Sequence, residues 1–186
     1  MDELYELLHK SQTSLFCLFQ KTWIYHWNVI GPDFHQLHTV FGGQYETMFE
    51  EIDKLSEHMR YLRMKIVGPI SRVAETSILP EAAMNPTAEA MISQLLADNK
   101  KLIDLLTQVS EKADDQRLYA TSNLVQEIME NHGKFVWMLR SFLKEWKGWL
   151  KMLIVRCKCC NKELLGTPKL QVCGCPNQMT VKEDKI

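Results

Sequence analysis

Four apolar stripes at helical spacing, separated by breaks marked with proline or glycine, leave this chain few folds to choose from. Leu4, Leu8, Leu15, Leu18 and Phe19 recur on one side of a first segment that stops at Gly31-Pro32. Asp2 stands where an N-cap belongs for that segment, and Asp33 does so for a second helix running to about Val67 and ending at Gly68-Pro69. The long connection to Pro86 is predicted to hold a short helix near Ser71–Thr76. Thr87 caps a third helix that carries Met91, Leu95, Leu102, Leu106 and Val109 along one side. The fourth begins near Thr121 and shows Leu124, Ile128, Phe135, Leu139, Phe142 and Trp146. No strand-like alternation precedes residue 150. Amphipathic helices of this length bury their stripes against one another, so the expected class is all-α, a four-helix bundle.

Four residues on the first two helices form a metal-ligand set: His26, His38, Asp53 and Glu57. Two imidazoles with two carboxylates suit iron or another divalent transition metal. Asp53 and Glu57 are four apart, one turn along one helix face. His26 and His38 flank the Gly31-Pro32 break, and a tight turn there brings the two rings together. His38 and Asp53, in contrast, lie 15 residues apart on one predicted helix. At the α-helical rise this is about 22 Å, far more than one metal centre spans. If all four residues serve one centre, the histidines of one chain meet the carboxylates of another, in a dimer or larger assembly.

The segment His26-Trp27-Asn28, then Gly31, Phe34 and Leu37-His38, followed by Asp53-Lys54-Leu55-Ser56-Glu57, closely resembles the Dps family, the ferritin-like mini-ferritins described as DNA-binding proteins from starved cells. Trp137-Met138-Leu139 is similar to a stretch of that family's fourth helix. The resemblance covers roughly residues 1–147 and rests on several fixed residues together with two long spacings. It implies a ferritin-like four-helix bundle, a hollow dodecamer, and ferroxidase centres between subunits related by a two-fold axis. It also implies that His26 and His38 come from one subunit and Asp53 and Glu57 from its neighbour, and it gives Trp27 a role as a nearby electron donor.

One ligand of the family pattern is missing. A carboxylate is expected four residues after the second histidine, where this chain has Gly42, followed by Gly43. Two readings fit: a tolerant helix position, or a weakened second metal position and weakened ferroxidase activity. Glu46 and Glu50 are nearby carboxylates and read best as a solvated face. The site type of ordinary ferritins, paired Glu-x-x-His motifs inside one bundle, is matched only by Glu6-Leu7-Leu8-His9. One copy does not build that site, and His9 reads as a surface residue. His35, His58 and His132 lack partner sets and read as surface or hydrogen-bonded structural histidines. Cys17 reads as a buried small hydrophobe.

Charge is split along the chain. The whole has a formal net charge of −1, which makes no global case for nucleic acid. Residues 151–186 hold seven Lys/Arg against three Asp/Glu, a net of +4, which leaves −5 on the remainder. An acidic body suits a protein that concentrates cations, and a basic tail suits an anionic partner such as DNA. No apolar run is long enough for a membrane span. The N-terminus, Met1-Asp2-Glu3, has no signal-peptide pattern, so the expected location is cytoplasmic.

The tail carries its own motif. Five of the six cysteines fall within residues 157–175, as Cys157-Lys158-Cys159-Cys160, a twelve-residue gap, and Cys173-Gly174-Cys175-Pro176. Cys157, Cys160, Cys173 and Cys175 supply four thiolates, a set suited to tetrahedral zinc, with Cys159 able to exchange for Cys157 or Cys160. The gap is predicted to hold a hairpin turning at Gly166 and Pro168, with Val155 and Leu170–Val172 as strand residues. The segment resembles a small zinc ribbon. The expected domains are therefore a bundle over 1–149 and a zinc-ribbon-like module over 150–186. Iron oxidation and storage by a Dps-like assembly, protecting against oxidative damage, is the expected function. The alternative is a nucleic-acid-binding structural protein that uses the basic tail and oxidises iron weakly or not at all.

Overall fold

In a computed structural model, residues 2–66, 68–143, 154–156 and 163–165 are described. Five helices follow one another: α1 (Asp2–Asn28), α2 (Phe34–Tyr61), α3 (Ile70–Thr76), α4 (Ala88–Asp115) and α5 (Tyr119–Phe142). The chain divides into two compact units, Met1–Phe142 and Leu143–Ile186. Within the first, α1 packs on α2 and α4, α4 packs on α5, and α2 touches α5, which closes a four-helix bundle. The predicted stripes form its core. Leu4, Leu8, Leu15 and Leu18 of α1 meet Leu37, Phe41, Met48, Leu55 and Met59 of α2 and Leu95, Leu102, Leu106 and Val109 of α4, all buried.

The ends of these helices follow local chemistry. Gly31, with φ of +121°, turns the chain from α1 into α2, a conformation that excludes a Cβ at little cost only in glycine. Thr87 caps α4 as expected, its Oγ1 accepting from Ala90 N at 3.2 Å. Asp33 occupies the cap position of α2 but its side chain makes no capping hydrogen bond, and α1 already includes Asp2. The second helix stops at Tyr61, short of Val67. Arg63 adopts φ of 63°, Arg63 N donates to Arg60 O and Met64 N donates to Met59 O, the paired bonds of a Schellman ending. The same ending closes α4, with Arg117 at φ 59° and Leu118 N donating to Ala113 O. Arginine in place of the usual glycine hides both stops from a sequence reading.

The long connection after α2 contains α3, which packs on α1. Its continuation crosses α1: Ile78 N donates to Ser14 Oγ at 3.0 Å, and Leu79 is buried. Residues 11–15 of α1 are consequently buried on every side. In the second unit, β1 (Ile154–Arg156) pairs antiparallel with β2 (Glu163–Leu165), with Val155 opposite Leu164. Val155 is thus a strand residue as expected. The strand partner, however, is 163–165, so the first cysteine pair falls in the sequence between the strands, and the expected turn at Gly166 and Pro168 lies beyond them. Leu170–Val172 and Trp146 lie outside the described residues.

The interior of the bundle is polar at its centre. Lys21 of α1 forms an ion pair with Asp98 of α4, both side chains almost fully buried. Next to Asp98, Asn99 Oδ1 faces His132 Nδ1 at 2.6 Å, and His132 Nε2 lies 3.2 Å from Glu51 Oε2. Asn131 Nδ2 donates to Glu51 Oε1 at 2.9 Å, and Asn99 Nδ2 donates to Leu95 O at 2.7 Å. Because its partners are satisfied, this network is tolerated and fixes how the helices register; removing one partner leaves a buried charge alone. Replacing Asp98 by Ala should therefore destabilise the fold by about 3–5 kcal/mol. Lys21→Met combined with Asp98→Leu should cost much less. Denaturant unfolding at fixed protein concentration measures both, and a near-neutral Asp98→Ala would show that the pair does not hold the interior.

Candidate metal centre

The two histidines meet across the α1–α2 turn. Their rings stack, with centroids 3.7 Å apart and planes inclined by 22°. His26 Nδ1 lies 2.7 Å from His38 O, and His38 Nδ1 lies 2.8 Å from His26 O. A carbonyl oxygen only accepts, so each Nδ1 carries the hydrogen, and the neutral form of each ring has its lone pair on Nε2. The two residues thus fix each other's tautomer through their backbones. This is the outer-shell bond that orients a histidine ligand and raises its basicity.

Asp53 and Glu57 sit on α2 as exposed side chains, in the same unbroken helix as His38. Within the chain the imidazole pair and the carboxylate pair therefore stay apart by the helical rise, about 22 Å from His38 to Asp53. Among the described residues no three of His, Cys, Asp or Glu gather into a metal-binding group. What one chain presents is two half-sets of ligands, both reachable from outside. Cys157, Cys160, Cys173 and Cys175 lie outside the described residues.

Gly42 is buried beneath His26. A Cβ built there would stand 3.4 Å from His26 Cε1 and 3.5 Å from Nδ1, ordinary contact distances. The family-pattern carboxylate therefore has room to start from this position, directly under the imidazole. Glu46 and Glu50 are exposed, as expected of a solvated face.

Other histidines resolve in different ways. His132 is the buried structural histidine of the interior network. His58 Nε2 lies 2.8 Å from Thr121 Oγ1, and burial pushes its imidazole below the usual range. His9 departs from the expected surface residue: it is half-buried, its Nδ1 is enclosed without a hydrogen-bond partner, and burial lowers its pKa. Cys17 is buried and free, as expected.

Two aromatic residues beside the histidines escaped the sequence reading. Tyr45 meets the His26 ring edge-on, with centroids 5.2 Å apart. Trp23 lies 4.5 Å from Trp27, one helical turn away. Trp27 itself is 58% exposed and packs there, its ring inclined by 45° to that of Trp23, rather than in the core. The i, i+4 spacing of the two tryptophans was the available signal; Tyr45 had none until α1 and α2 were docked.

Comparison with known proteins agrees with this architecture. Residues 5–148 match the model of the ferritin-like domain. DNA protection during starvation protein 2 of Bacillus anthracis is 32% identical over 143 residues, covering 77% of this chain and 98% of that protein. An uncharacterised low temperature-induced protein of Nostoc is 33% identical over 140 residues, covering 74% and 78%. The crystal structure of a Dps protein from Bacillus brevis superposes with a TM-score of 0.74 at 28% identity, covering 77% of this chain and 96% of the other. With its bundle, its histidine pair and its exposed carboxylates accounted for, the chain belongs to the Dps family of ferritin-like proteins.

Proposed function

We propose that this protein oxidises Fe(II) and stores the ferric product in a closed homo-oligomer, a dodecamer by family resemblance. Each iron centre would be shared between two copies: His26 and His38 from one, Asp53 and Glu57 from the other. The observation that carries this reading is the reciprocal clamp of the two histidines, which commits both Nδ1 atoms to backbone carbonyls and leaves Nε2 as the nitrogen open to a metal, combined with carboxylates too distant to serve the same chain. Iron is the substrate here. The two copies would bind it, the carboxylates offsetting its charge and the imidazoles completing the donor set. Removing Fe(II) from solution in this way would limit its chemistry with peroxide. DNA is the proposed partner of the basic residues 151–186, and the four tail cysteines are the proposed zinc ligands; zinc there would be structural, with no vacant position for catalysis.

Sharing is tested by mixing two inactive variants. His26→Ala/His38→Ala and Asp53→Ala/Glu57→Ala should each abolish iron oxidation. Assembled together at equal ratio, they should regain about a quarter of the wild-type centres, because for each centre one pairing in four sets the intact histidines of one variant against the intact carboxylates of the other. Absence of any recovery in a mixed assembly of native size would overturn the shared centre.

Gly42→Asp should return an oxygen donor to the second metal position. It should also remove a helix-interior glycine, worth roughly 1 kcal/mol against alanine. Paired Fe(II) titrations should show tighter binding of a second iron and faster oxidation in the variant. Equal second-site affinity in both proteins would show that another group already fills that position.

In the tail, zinc analysis of the purified protein should give about one ion per chain, held by four thiolates. Cys173→Ser/Cys175→Ser should release it without loss of helical content or assembly. Retention of zinc by this variant would reject the four-thiolate assignment.

A further inference from the structure

The carboxylate half of the iron site carries a cation within its own motif. Asp53-Lys54-Leu55-Ser56-Glu57 sets Lys54 next to one proposed ligand and three residues before the other. At the α-helical repeat, Glu50, Asp53, Lys54 and Glu57 share about 100° of the circumference of α2. Residues three or four apart on a helix are ion-pair neighbours, so the Lys54 ammonium is within reach of Glu57 ahead of it and Glu50 behind it. An ammonium resting on Glu57 offsets the charge that draws iron and occupies the oxygen that would bind it.

The observed pairing is different. Lys54 Nζ donates to Glu127 Oε1 of α5 at 3.1 Å, and among the described residues neither Asp53 nor Glu57 forms an ion pair. Lone surface pairs contribute little to stability, and both side chains here are about half exposed. Register, however, fixes where this pair forms. Glu51, Lys54 and His58 make one stripe of α2 toward α5. Glu51 meets Asn131 and His132, and His58 Nε2 lies 2.8 Å from Thr121 Oγ1. The two helices run antiparallel, so Glu127 falls between these contacts and opposite Lys54. The bonds of Glu51 and His58 thus bring Glu127 to the ammonium whether or not the bridge itself stabilises the fold.

We propose that Glu127 is a positioning residue of the iron site: it draws the Lys54 ammonium toward α5 and so keeps Asp53 and Glu57 open to a divalent cation. This rests on the shared centre proposed above. Without Glu127, Lys54 turns to the carboxylates of its own helix face and competes with iron for them. Gly42 sharpens the competition, because it leaves Asp53 and Glu57 as the only carboxylates assigned to the centre. Glu127 also has a negative charge of its own, which favours a nearby cation whatever Lys54 does. A double-mutant cycle separates the two effects.

The test titrates the full-length assembly anaerobically with Fe(II), and in parallel with Co(II), whose visible absorption reports its donor set. Glu127→Gln should weaken binding about three- to ten-fold at low salt, the size expected of one unit charge turned toward a divalent ion. Its oxidation rate should fall at limiting Fe(II) and stay at the wild-type value at saturating Fe(II), a split that loss of structure does not produce. Lys54→Gln should bind at least as tightly as wild type. Lys54→Gln/Glu127→Gln should match Lys54→Gln, because Glu127 then has no ammonium to hold. Unchanged affinity in Glu127→Gln would overturn the proposal. An equal loss on adding Glu127→Gln to Lys54→Gln would overturn it too, and would show that Glu127 acts by its own charge. Fe(II) binding that survives Asp53→Ala/Glu57→Ala would instead overturn the shared centre on which the proposal depends.

Discussion

The continuity of α2 governs what the rest of this molecule can do. One helix from Phe34 to Tyr61 carries His38 near its start and Asp53 and Glu57 near its end. A break between them would let the carboxylates fold back toward the imidazoles. Buried Phe41, Met48, Leu55 and Met59 hold it straight against the bundle instead, even though Gly42 and Gly43 weaken its helix propensity. The core packing that makes the bundle thus also keeps the two half-sets apart. In the proposed shared centre a chain built this way has incomplete chemistry alone, and assembly becomes a requirement of the site.

The bundle interior bears on why the proposed ligands lie outside. Four-helix proteins of the ordinary ferritin type place two metals among inward carboxylates and histidines. Here the corresponding space between helices holds the Lys21–Asp98 pair and the Glu51–His132–Asn99 chain. Asp98, the carboxylate that would attract a cation there, is already paired with Lys21. Glu51 and His132 are already bonded to each other and to Asn131 and Asn99. Metal entry would have to break these bonds. Groups that resemble a metal site by composition are thereby committed to holding the helices together.

Much of this was legible in the chain. Leucine periodicity marked the helices, Thr87 marked one cap, and the fifteen-residue interval from His38 to Asp53 already placed the two pairs far apart on one helix. What remained hidden depends on contacts between distant segments. The arginines at Arg63 and Arg117 take backbone positions usually given to glycine, so the stops of α2 and α4 carried no signal. Glu51 reads as one more charge on a polar helix until His132, 81 residues later, is packed beside it. The clamp between His26 and His38 uses backbone carbonyls, which sequence pattern does not reveal. Tyr45 likewise gains meaning only from the ring it touches.

Gly42 brings these strands together. It lies in a helix, without the positive φ that calls for glycine, and a Cβ there would make ordinary contact with His26. Neither backbone geometry nor crowding therefore requires this residue. Its cost to the helix is met elsewhere, and its chemical effect is local: position 42, which faces the His26 ring, brings no side chain to it. The imidazole pair keeps its orientation through the two Nδ1–carbonyl bonds, which need no contribution from position 42. In the proposed centre, Gly42 would thus remove charge without disturbing the shape of the histidine pair. Metal binding on the histidine side would then depend on what a neighbouring copy brings. Asp53 and Glu57, exposed on α2, are the carboxylates proposed to meet that need.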